Sequence, residues 1–385
     1  MSDVAATGSM AKVCMNAAIS KFLQERIDAG DFPSAVYLVA EKGEIVFQDA
    51  LGNAVAEPEK IRARSDTIYD LASLTKPLVT GLLAARQIEA SEISLTTKVG
   101  EKISEFQRTW IGDVTVVDLA SHISGLKAWL PLYLLADSPS PNDIAKAIER
   151  NSKQKDERAV EYSDLNFITL ARMIGGKDLE QDLYRNVCAG LGLTGTWFNP
   201  LSNGVELRQI AASEKGNEYE RQTCVELGYL SGSADDHKFR DQQIWGEVHD
   251  GNAWFMGGVS GHAGLFSTAE DVFKMAMQFL PNYTQLLKPE TCALFTTNFT
   301  AGANEDRSFA FQLASTKDST AGSLMSPQSF GHLGFTGTSL WIDDVTERIF
   351  ILLTNRTHHH SLPFVNINAV RRRFHDLAIG ELSKK

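Results

Sequence analysis

The stretch from Tyr69 to Pro77, YDLASLTKP, is the most informative part of this sequence. Pro77 lacks the amide hydrogen that would bond back to the carbonyl of Ser73. Because proline is tolerated only in the first turn of a helix, the spacing predicts a helix that begins close to Ser73 and runs to about residue 90. Ser73 then lies at the positive end of the helix dipole, and Lys76 lies on the same face.

This Ser-x-x-Lys pair is suited to nucleophilic catalysis. A serine hydroxyl is a poor nucleophile until a neighbouring base removes its proton, and burial can lower the pKa of a lysine enough for it to share that task. The alternative is a purely structural role, in which Ser73 caps the helix and Lys76 lies on the surface. Other pairs with the same spacing fall in the N-terminal leader, in a charged loop and at a helix stop: Ser9/Lys12, Ser152/Lys155 and Ser124/Lys127.

Strand patterns lie near both ends of the chain, and helical patterns fill the middle. The first strands form a hairpin with Lys42-Gly43 at its turn. The predicted strands are Ser34 to Glu41, Glu44 to Leu51, Phe309 to Ala314, Thr338 to Ile342 and Arg348 to Thr354. The predicted helices besides that of Ser73 are Cys14 to Ala29, Val116 to His122, Ser140 to Asn151, Asp164 to Ile174, Asp178 to Ala189, Thr268 to Phe279 (with Ser267 and Glu270 as a capping box) and Val365 to Leu382.

These patterns predict an α+β fold. One antiparallel sheet is assembled from both chain ends and flanked by helices, and a mainly helical domain is inserted between them. We expect a discontinuous sheet domain at residues 11–95 and 255–385, a helical domain at 96–254, and a leader at 1–10 that is disordered or a cloning remnant.

Composition excludes several classes of function. The net charge of −11 leaves no basic excess for nucleic acid, and no apolar run is long enough to cross a bilayer. The basic run Arg371 to Arg373 is expected on a solvated helix face. Four scattered cysteines indicate free thiols, and the missing secretory signal favours the cytoplasm, although Gly8-Ser9-Met10 is typical of a cloning scar that could have replaced a leader. Oligomeric state is not encoded in any pattern.

Five stretches together resemble the serine β-lactamase and penicillin-binding-protein superfamily. The similarity is to the branch of class C β-lactamases, D-alanyl-D-alanine peptidases and family VIII esterases, and it runs from about Ala11 to Ile379. It implies the β-lactamase/transpeptidase-like fold and an acyl-enzyme on Ser73, with no metal or organic cofactor. The stretches are Asp70 to Pro77, Thr115 to Leu126 (TVVDLASHISGL), Glu161 to Thr169 (EYSDLNFIT), His249 to Asp271 (HDGNAWFMGGVSGHAGLFSTAED) and Gly331 to Asp343 (GHLGFTGTSLWID).

The resemblance also implies roles for Tyr162 and Asp164. Tyr162 corresponds to the tyrosine of the family's Tyr-x-Asn element, which acts as general base for attack and then as general acid for the leaving group. A phenol needs a cation beside it to give up its proton readily, and Lys76 is the expected one. Asp164 replaces the family's asparagine, so it would repel carboxylate substrates or pair with Lys76.

The third family element, Lys-Thr-Gly in most members, is His332-Leu333-Gly334 here. A histidine also occurs at this place in some peptidases and esterases of the family. Since histidine is largely neutral near pH 7, recognition of a substrate carboxylate should be weaker than with lysine. Gly334 and Gly337 would let substrate backbone approach the strand, and the resemblance implies that the amides of Phe335 and Ser73 form the oxyanion hole.

Two histidine groups have weaker claims to function. His358 to His360 follow a strand and have no second ligand cluster at zinc spacing, so a metal site is not predicted. Ser260, with His249, Asp250 and His262, could suggest a catalytic triad, but Ser260 lacks the Gly-x-Ser-x-Gly elbow and the strand before it. We expect His262 to be structural.

The function predicted from these residues is hydrolysis of an ester, amide or lactam bond through an acyl-enzyme, acting on a small-molecule or peptide substrate. One alternative is a D-alanyl-D-alanine carboxypeptidase or penicillin-binding protein. Another is a catalytically silent peptidoglycan-binding scaffold. The joint presence of Ser73, Lys76 and Tyr162 argues against a silent scaffold, because binding alone does not need all three.

Overall fold

A seven-stranded antiparallel sheet organises the chain. The computed structural model describes residues 14–154, 159–175, 178–230 and 238–384, so the predicted leader lies outside the described residues. The sheet has the order β3-β2-β1-β9-β8-β7-β6, and a separate pair joins β4 to β5. The strands are β1 (Ser34–Glu41), β2 (Glu44–Val55), β3 (Ile61–Arg62), β4 (Tyr69–Asp70), β5 (Phe266–Ser267), β6 (Gln312–Leu313), β7 (Phe330–Leu333), β8 (Ser339–Asp343) and β9 (Arg348–Thr354).

The two ends of the chain meet at the centre of this sheet. Strand β1 pairs with its hairpin partner β2 on one side and with β9 on the other, from Ala35 opposite Thr354 to Glu41 opposite Arg348. The predicted sheet assembled from both termini is therefore confirmed. The boundaries proposed for the two domains stay a prediction, since one apolar cluster contains residues from both segments.

Helices surround the sheet and fill the middle of the chain. Short 3-10 or π turns complete several of them. The α-helices are α1 (Ala17–Asp28), α2 (Leu82–Glu89), α3 (Val99–Lys102), α4 (Val116–Ala120), α5 (Leu132–Leu135), α6 (Pro141–Asn151), α7 (Asp164–Met173), α8 (Leu179–Leu183), α9 (Ala189–Leu191), α10 (Glu218–Glu226), α11 (Gly251–Phe255), α12 (Ala269–Ala276) and α13 (Asn368–Leu382). The π turns are Lys76–Gly81 and Tyr184–Cys188, and the 3-10 turns are Ala72–Leu74, Ser104–Phe106, Trp110–Asp113, Pro200–Asn203, Leu207–Gln209, Met277–Phe279 and Pro289–Phe295.

Strand β1 separates two apolar layers. Successive side chains of a strand point to opposite faces, and β1 is buried on both. Val36 and Leu38 belong to the large cluster that includes α2, α7 and α12, whereas Tyr37 and Val39 belong to the cluster covered by α1 and α13. The sheet is therefore a middle layer between helices, which explains why β1 is apolar throughout instead of alternating with polar residues.

Three local predictions differ from the structure. The strand predicted over Phe309 to Ala314 is wrong except for Gln312–Leu313, because Ala310 has a φ of +68° that interrupts an extended chain. The cap of α12 is Thr268, whose side chain accepts a hydrogen bond from the amide of Asp271, and not Ser267, which is in β5. The last helix begins at Asn368 and not at Val365.

Two exclusions made from composition can be compared with the structure. No helix within the described ranges is both long and apolar enough to span a bilayer. The four cysteines form no disulfide bond among the described residues, as predicted: Cys14, Cys188, Cys224 and Cys292.

Truncating the central strand should destabilise the protein. We expect Leu38→Ala to lower the free energy of unfolding by about 3 kcal/mol, because Leu38 is fully buried and pairs across to Ile351 in β9. Val345→Ala is the control, since Val345 is 65% exposed in the turn before β9 and its loss should change stability by less than about 0.5 kcal/mol. Urea unfolding of both variants measures the difference, and equal effects would contradict the layered core.

Candidate active site

Ser73 lies in a tight turn that leads from β4 into the buried helix. Ala72, just before it, has a left-handed φ of +47°, a conformation that costs energy for a residue with a side chain and is often found at functional sites. Asp70 holds this turn: its carboxylate accepts hydrogen bonds from the amide of Ala72 at 2.8 Å and from the amide of His249 at 2.7 Å. As Pro77 predicted, the helical segment begins close to Ser73: a 3-10 turn starts at Ala72 and is followed by a π turn from Lys76.

Lys76 is the hydrogen-bond partner of Ser73. Its ammonium donates to Ser73 Oγ at 2.8 Å, to Asp164 Oδ1 at 2.7 Å and to the carbonyl of His262 at 3.3 Å. The side chain of Lys76 is 0% exposed, so the reading of Lys76 as a surface residue is wrong. Three acceptors from three separate segments satisfy the three hydrogens of the ammonium.

The charge on Lys76 differs from the sequence-based expectation. Burial would lower the pKa of Lys76, but the carboxylate of Asp164 and the phenol of Tyr162 outweigh burial, so the pKa is raised above the usual lysine value. The expectation of a lowered pKa is therefore wrong, because it did not include the aspartate. Lys76 is an ammonium at neutral pH and donates to the Ser73 oxygen.

Tyr162 lies beside Lys76 in the same cavity. The Lys76 nitrogen is 4.8 Å from the centre of the Tyr162 ring, and the Arg307 guanidinium lies 5.4 Å from it. The ring of His122 packs on Tyr162 at 4.7 Å and accepts a hydrogen bond from the amide of Ser163 at 3.0 Å. Burial, with the nearby cations, holds the pKa of His122 well below its usual range, so His122 is a neutral support for the start of α7.

His332 at the end of β7 is a buried neutral imidazole. Its Nδ1 donates to the carbonyl of Leu333 at 2.9 Å, and Nε2 has no hydrogen-bond partner among the described residues. Burial and the charges of Lys76 and Arg307 hold the pKa of His332 well below its usual range. The ring centre lies 5.7 Å from that of Tyr162, so His332 brings an acceptor nitrogen to the site and no positive charge.

The glycines after His332 are required by packing within the protein. A Cβ on Gly334 would approach Thr338 Oγ1 to 2.0 Å and the Leu71 carbonyl to 2.5 Å. A Cβ on Gly337 would lie 1.9 Å from Thr354 Oγ1. The sequence-based explanation, close approach of substrate, is therefore not needed for either glycine. Because Gly334 has no Cβ, the end of β7 can instead pack closely against the carbonyl of Leu71, two residues before Ser73.

A cavity of about 520 Å³ lies over Ser73. It brings together the predicted site residues and several that the sequence did not reveal. The predicted lining residues are Ser73, Tyr162, Asp164, His332, Gly334 and Phe335, while Lys76 lies buried beneath them. The unforeseen ones are Trp129, Tyr219, Glu220, Arg307, Arg356 and Arg371.

Arg371 corrects a prediction. The basic run of α13 was expected to face solvent, but Arg371 is buried and donates to the carbonyls of Gly334 and Thr338 at 3.0 Å each. Arg356 donates to the carbonyl of Phe335 at 2.8 Å and stacks on its ring. Burial, reinforced by the charge of Arg356, lowers the pKa of Arg371 to about 9. A run of three arginines gives no sign that one of them turns inward.

Glu220 on α10 is a buried carboxyl in the wall of this cavity. Its Oε1 accepts a hydrogen bond from the amide of Gly251 at 2.7 Å, and its Oε2 has no hydrogen-bond partner among the described residues. Burial and the charge of Asp250 raise the pKa of Glu220 to about 7. No spacing distinguishes Glu220 from the three other acidic or basic residues of α10, so only the tertiary structure identifies it.

The other histidine groups are mainly structural. His262 bonds to Ser260 Oγ at 2.8 Å and to Asp250 Oδ1 at 3.0 Å, which fixes the loop whose carbonyl holds Lys76. Asp164, Asp250 and His262 could supply metal ligands within 4.8 Å of one another, but the Lys76 ammonium already occupies the position beside Asp164. His358 donates to the Ser213 carbonyl and accepts from the Ala56 amide, both at 2.9 Å.

Glu220→Gln should stabilise the protein in a pH-dependent way. The pKa of Glu220 is about 7 in the folded state, against 4.5 for an ordinary glutamate. As pH rises from 4.5 to 7, the unfolded chain releases a proton that the folded chain keeps, so stability is lost over this range. At pH 8 the variant should be more stable by on the order of 2 to 3 kcal/mol, and near pH 5 by much less. Urea unfolding at both pH values tests this, and a difference that does not change with pH would contradict it.

Comparisons with known proteins identify the family of this chain. The β-lactamase family profile matches residues 19–371. A putative D-alanyl-D-alanine carboxypeptidase of Escherichia coli is 30% identical over 373 residues, which cover 88% of this chain and 82% of that protein. A second, from Salmonella gallinarum, is 32% identical over 372 residues with the same coverage.

Solved structures show the same fold at low identity. A class C β-lactamase from Rhodobacter sphaeroides superposes with a TM-score of 0.68 at 16% identity, covering 95% of this chain and 99% of that one. A D-amino acid amidase from Ochrobactrum anthropi superposes with a TM-score of 0.69 at 18% identity, covering 95% and 98%. With the family profile spanning nearly the whole sequence, these matches show that the chain belongs to the β-lactamase family of serine hydrolases.

Proposed function

We propose that this hydrolase forms an acyl-enzyme on Ser73 and cleaves ester or amide bonds, lactams included. The observation that carries the proposal is the 2.8 Å contact between Ser73 Oγ and the buried Lys76 ammonium at the floor of a cavity of about 520 Å³. A serine positioned by a fully buried cation, after a strained residue, is more than a helix cap requires.

Proton transfer is assigned to Tyr162. Lys76 holds its own proton at neutral pH, so a second group must accept the proton of Ser73. In the reacting form Tyr162 is a phenolate. As Ser73 Oγ forms a bond to the substrate carbonyl carbon, the serine proton passes to the phenolate oxygen, and the resulting phenol gives that proton to the leaving alcohol or amine as its bond to the carbonyl carbon breaks. Water repeats the sequence on the ester of Ser73 and releases the acid. Lys76 fixes Ser73 and stabilises negative charge on Tyr162.

Two further contributions come from the end of β7. The amides of Ser73 and Phe335 are assigned to the oxyanion hole, where they would donate to the negative oxygen of the tetrahedral intermediate. The unpartnered Nε2 of His332 can accept a hydrogen bond from a substrate N–H or O–H group. Neutral His332 and anionic Asp164 do not attract a carboxylate, which favours an uncharged ester as the simplest substrate to detect.

Ser73→Ala should abolish hydrolysis of p-nitrophenyl butyrate. We expect kcat to fall at least about 1,000-fold, because the nucleophile is lost while the cavity remains. Ser124→Ala is the matched control, since Ser124 belongs to another Ser-x-x-Lys pair and bonds to Asn166. It should stay within about tenfold of the parent. Mass spectrometry of the trapped acyl-enzyme must place the acyl group on Ser73, and a label elsewhere would refute the assignment.

A D-alanyl-D-alanine carboxypeptidase is the second candidate function. The observation that favours it is the pair of guanidinium groups, Arg356 and Arg371, which line the cavity and form no ion pair with a carboxylate of the described residues. They could hold the carboxylate that His332 cannot. If this function is right, a peptide ending in D-Ala-D-Ala will release D-alanine faster than its C-terminal amide analogue, as measured by amino-acid analysis. A stable penicillin adduct without turnover would indicate a penicillin-binding role, and no turnover of any ester or peptide would indicate the silent scaffold.

A further inference from the structure

The carboxylates in the cavity wall are unequally neutralised. Asp164 and Asp250 each face a basic side chain, Lys76 at 2.7 Å and His262 at 3.0 Å. Glu220 forms no ion pair within the described parts of the chain. One wall of a cavity that already contains two anions therefore carries a third carboxyl with no cation of its own.

The surroundings of Glu220 supply no cation in direct contact with it. Its neighbours Tyr133, which interacts with the carboxyl through its hydroxyl, and Cys224 are uncharged. The charge of His249 lowers the pKa of Glu220, but the ring nitrogen of His249 is paired with Glu214 at 2.7 Å. The Arg240 guanidinium also interacts electrostatically with Glu220, but it donates to the carbonyls of Val248 and His249 and to Asn217, and it lies 3.6 Å from the carboxylate of Glu247. Glu220 is therefore a buried acid, 7% exposed, with one oxygen left without a hydrogen bond.

A buried carboxyl without a counter-charge lowers the stability of the fold, unless a bound ligand compensates for it. Removing a carboxyl from water without a partner for each oxygen costs several kcal/mol, and a glutamine at this position would avoid most of that cost. Two aromatic side chains, Trp129 and Tyr219, line the same cavity, and the face of an aromatic ring attracts a cation. A carboxyl without a counter-charge and two aromatic rings together suit a protonated amine.

We propose that Glu220, with Asp250 beside it, binds the ammonium group of the substrate, so that the preferred acyl donors are esters, amides or peptides with a free amino group. The inference deepens the proposed function, on which it rests, because it names the substrate class of the same cavity. No new covalent step is involved: the amine is held while Ser73 reacts.

The kinetic test compares two anilides of equal shape. Alanine p-nitroanilide carries an ammonium group at about pH 7.5, and the p-nitroanilide of 2-methylpropanoic acid has a methyl group in its place. The parent should hydrolyse one enantiomer of the alanine compound with a kcat/KM at least tenfold higher than that of the neutral compound. Glu220→Gln should remove this preference, so that the ratio of kcat/KM between the alanine and the neutral anilide falls to about one. Equal use of the two anilides by the parent would overturn the proposal.

A matched control comes from the same helix. Glu218 lies one residue before Tyr219 on α10, outside the cavity over Ser73, and contacts Arg221 at 3.9 Å on the surface. Glu218→Gln removes the same charge from α10 and should keep the preference for the ammonium substrate. An equal loss in both variants would show a long-range charge effect and refute a specific site at Glu220.

A binding measurement separates this inference from the catalytic one. Ser73→Ala removes the nucleophile and leaves the cavity wall intact, so calorimetry with D-alaninamide reports recognition of the amine without turnover. Binding by Ser73→Ala that weakens at least tenfold in Ser73→Ala/Glu220→Gln supports the ammonium site even if the proposed chemistry is wrong. If the parent turns over neutral esters but Ser73→Ala binds no amine, the chemistry stands and the inference fails.

Discussion

The structure depends on how a buried ammonium is satisfied. Lys76 has no contact with solvent, and each of its hydrogens needs an acceptor that only the folded chain can provide. Ser73 comes from the same helix, Asp164 from the start of α7, and the His262 carbonyl from the loop between α11 and β5. If one of these segments were displaced, a charged group would be left unpaired in the interior. Formation of the active site and packing of the core are consequently the same event.

The aspartate at position 164 changes the electrostatics of this arrangement. An asparagine there would leave the Lys76 charge uncompensated, and burial would then favour the neutral amine. With Asp164 the lysine keeps its proton, and the neighbouring His332 stays neutral because it is buried beside that charge. Strand β7 therefore ends with a neutral histidine, where most members of this family have a positively charged lysine. Lys76 and Arg307 still lie close enough to act on His332, and Arg356 and Arg371 donate to the carbonyls of Phe335 and Gly334 just after this strand.

Local patterns predicted some features well and others poorly, for physical reasons. The hairpin strand Ser34–Glu41 and the strand Arg348–Thr354 have the predicted bounds, because both are apolar segments rich in β-branched and aromatic residues, which favour strands. The start of the helix at Ser73 followed from Pro77, a covalent constraint. The strand predicted after Phe309 was mostly wrong because the left-handed backbone at Ala310 is imposed by a hydrogen bond to the distant Ala120 carbonyl.

The candidate active site likewise combines features that local sequence predicted with features that depend on tertiary contacts. Recurrent motifs identified Ser73 and Tyr162, but the inward turn of Arg371 and the isolation of Glu220 depend on which distant residues face them. The charge of Lys76 was also mispredicted, since it results from a balance between burial and a carboxylate 88 positions away. Residue type and spacing can therefore predict which side chains are candidates for catalysis, whereas the protonation state of a side chain depends on its neighbours in the folded structure.

The pairing of β1 with β9 has a consequence for biosynthesis. The central strand of the sheet is made early on the ribosome, but its partner emerges some 300 residues later, and Ser34 even bonds to Asn355. Closing so large a loop is slow, because the chain must lose conformational entropy before the two strands can pair. Until β9 has been synthesised, the edge of β1 that pairs with β9 stays unpaired, and an unpaired strand edge is prone to associate with other chains. Synthesis of this enzyme should for that reason depend on chaperone capacity more than its compact final form suggests.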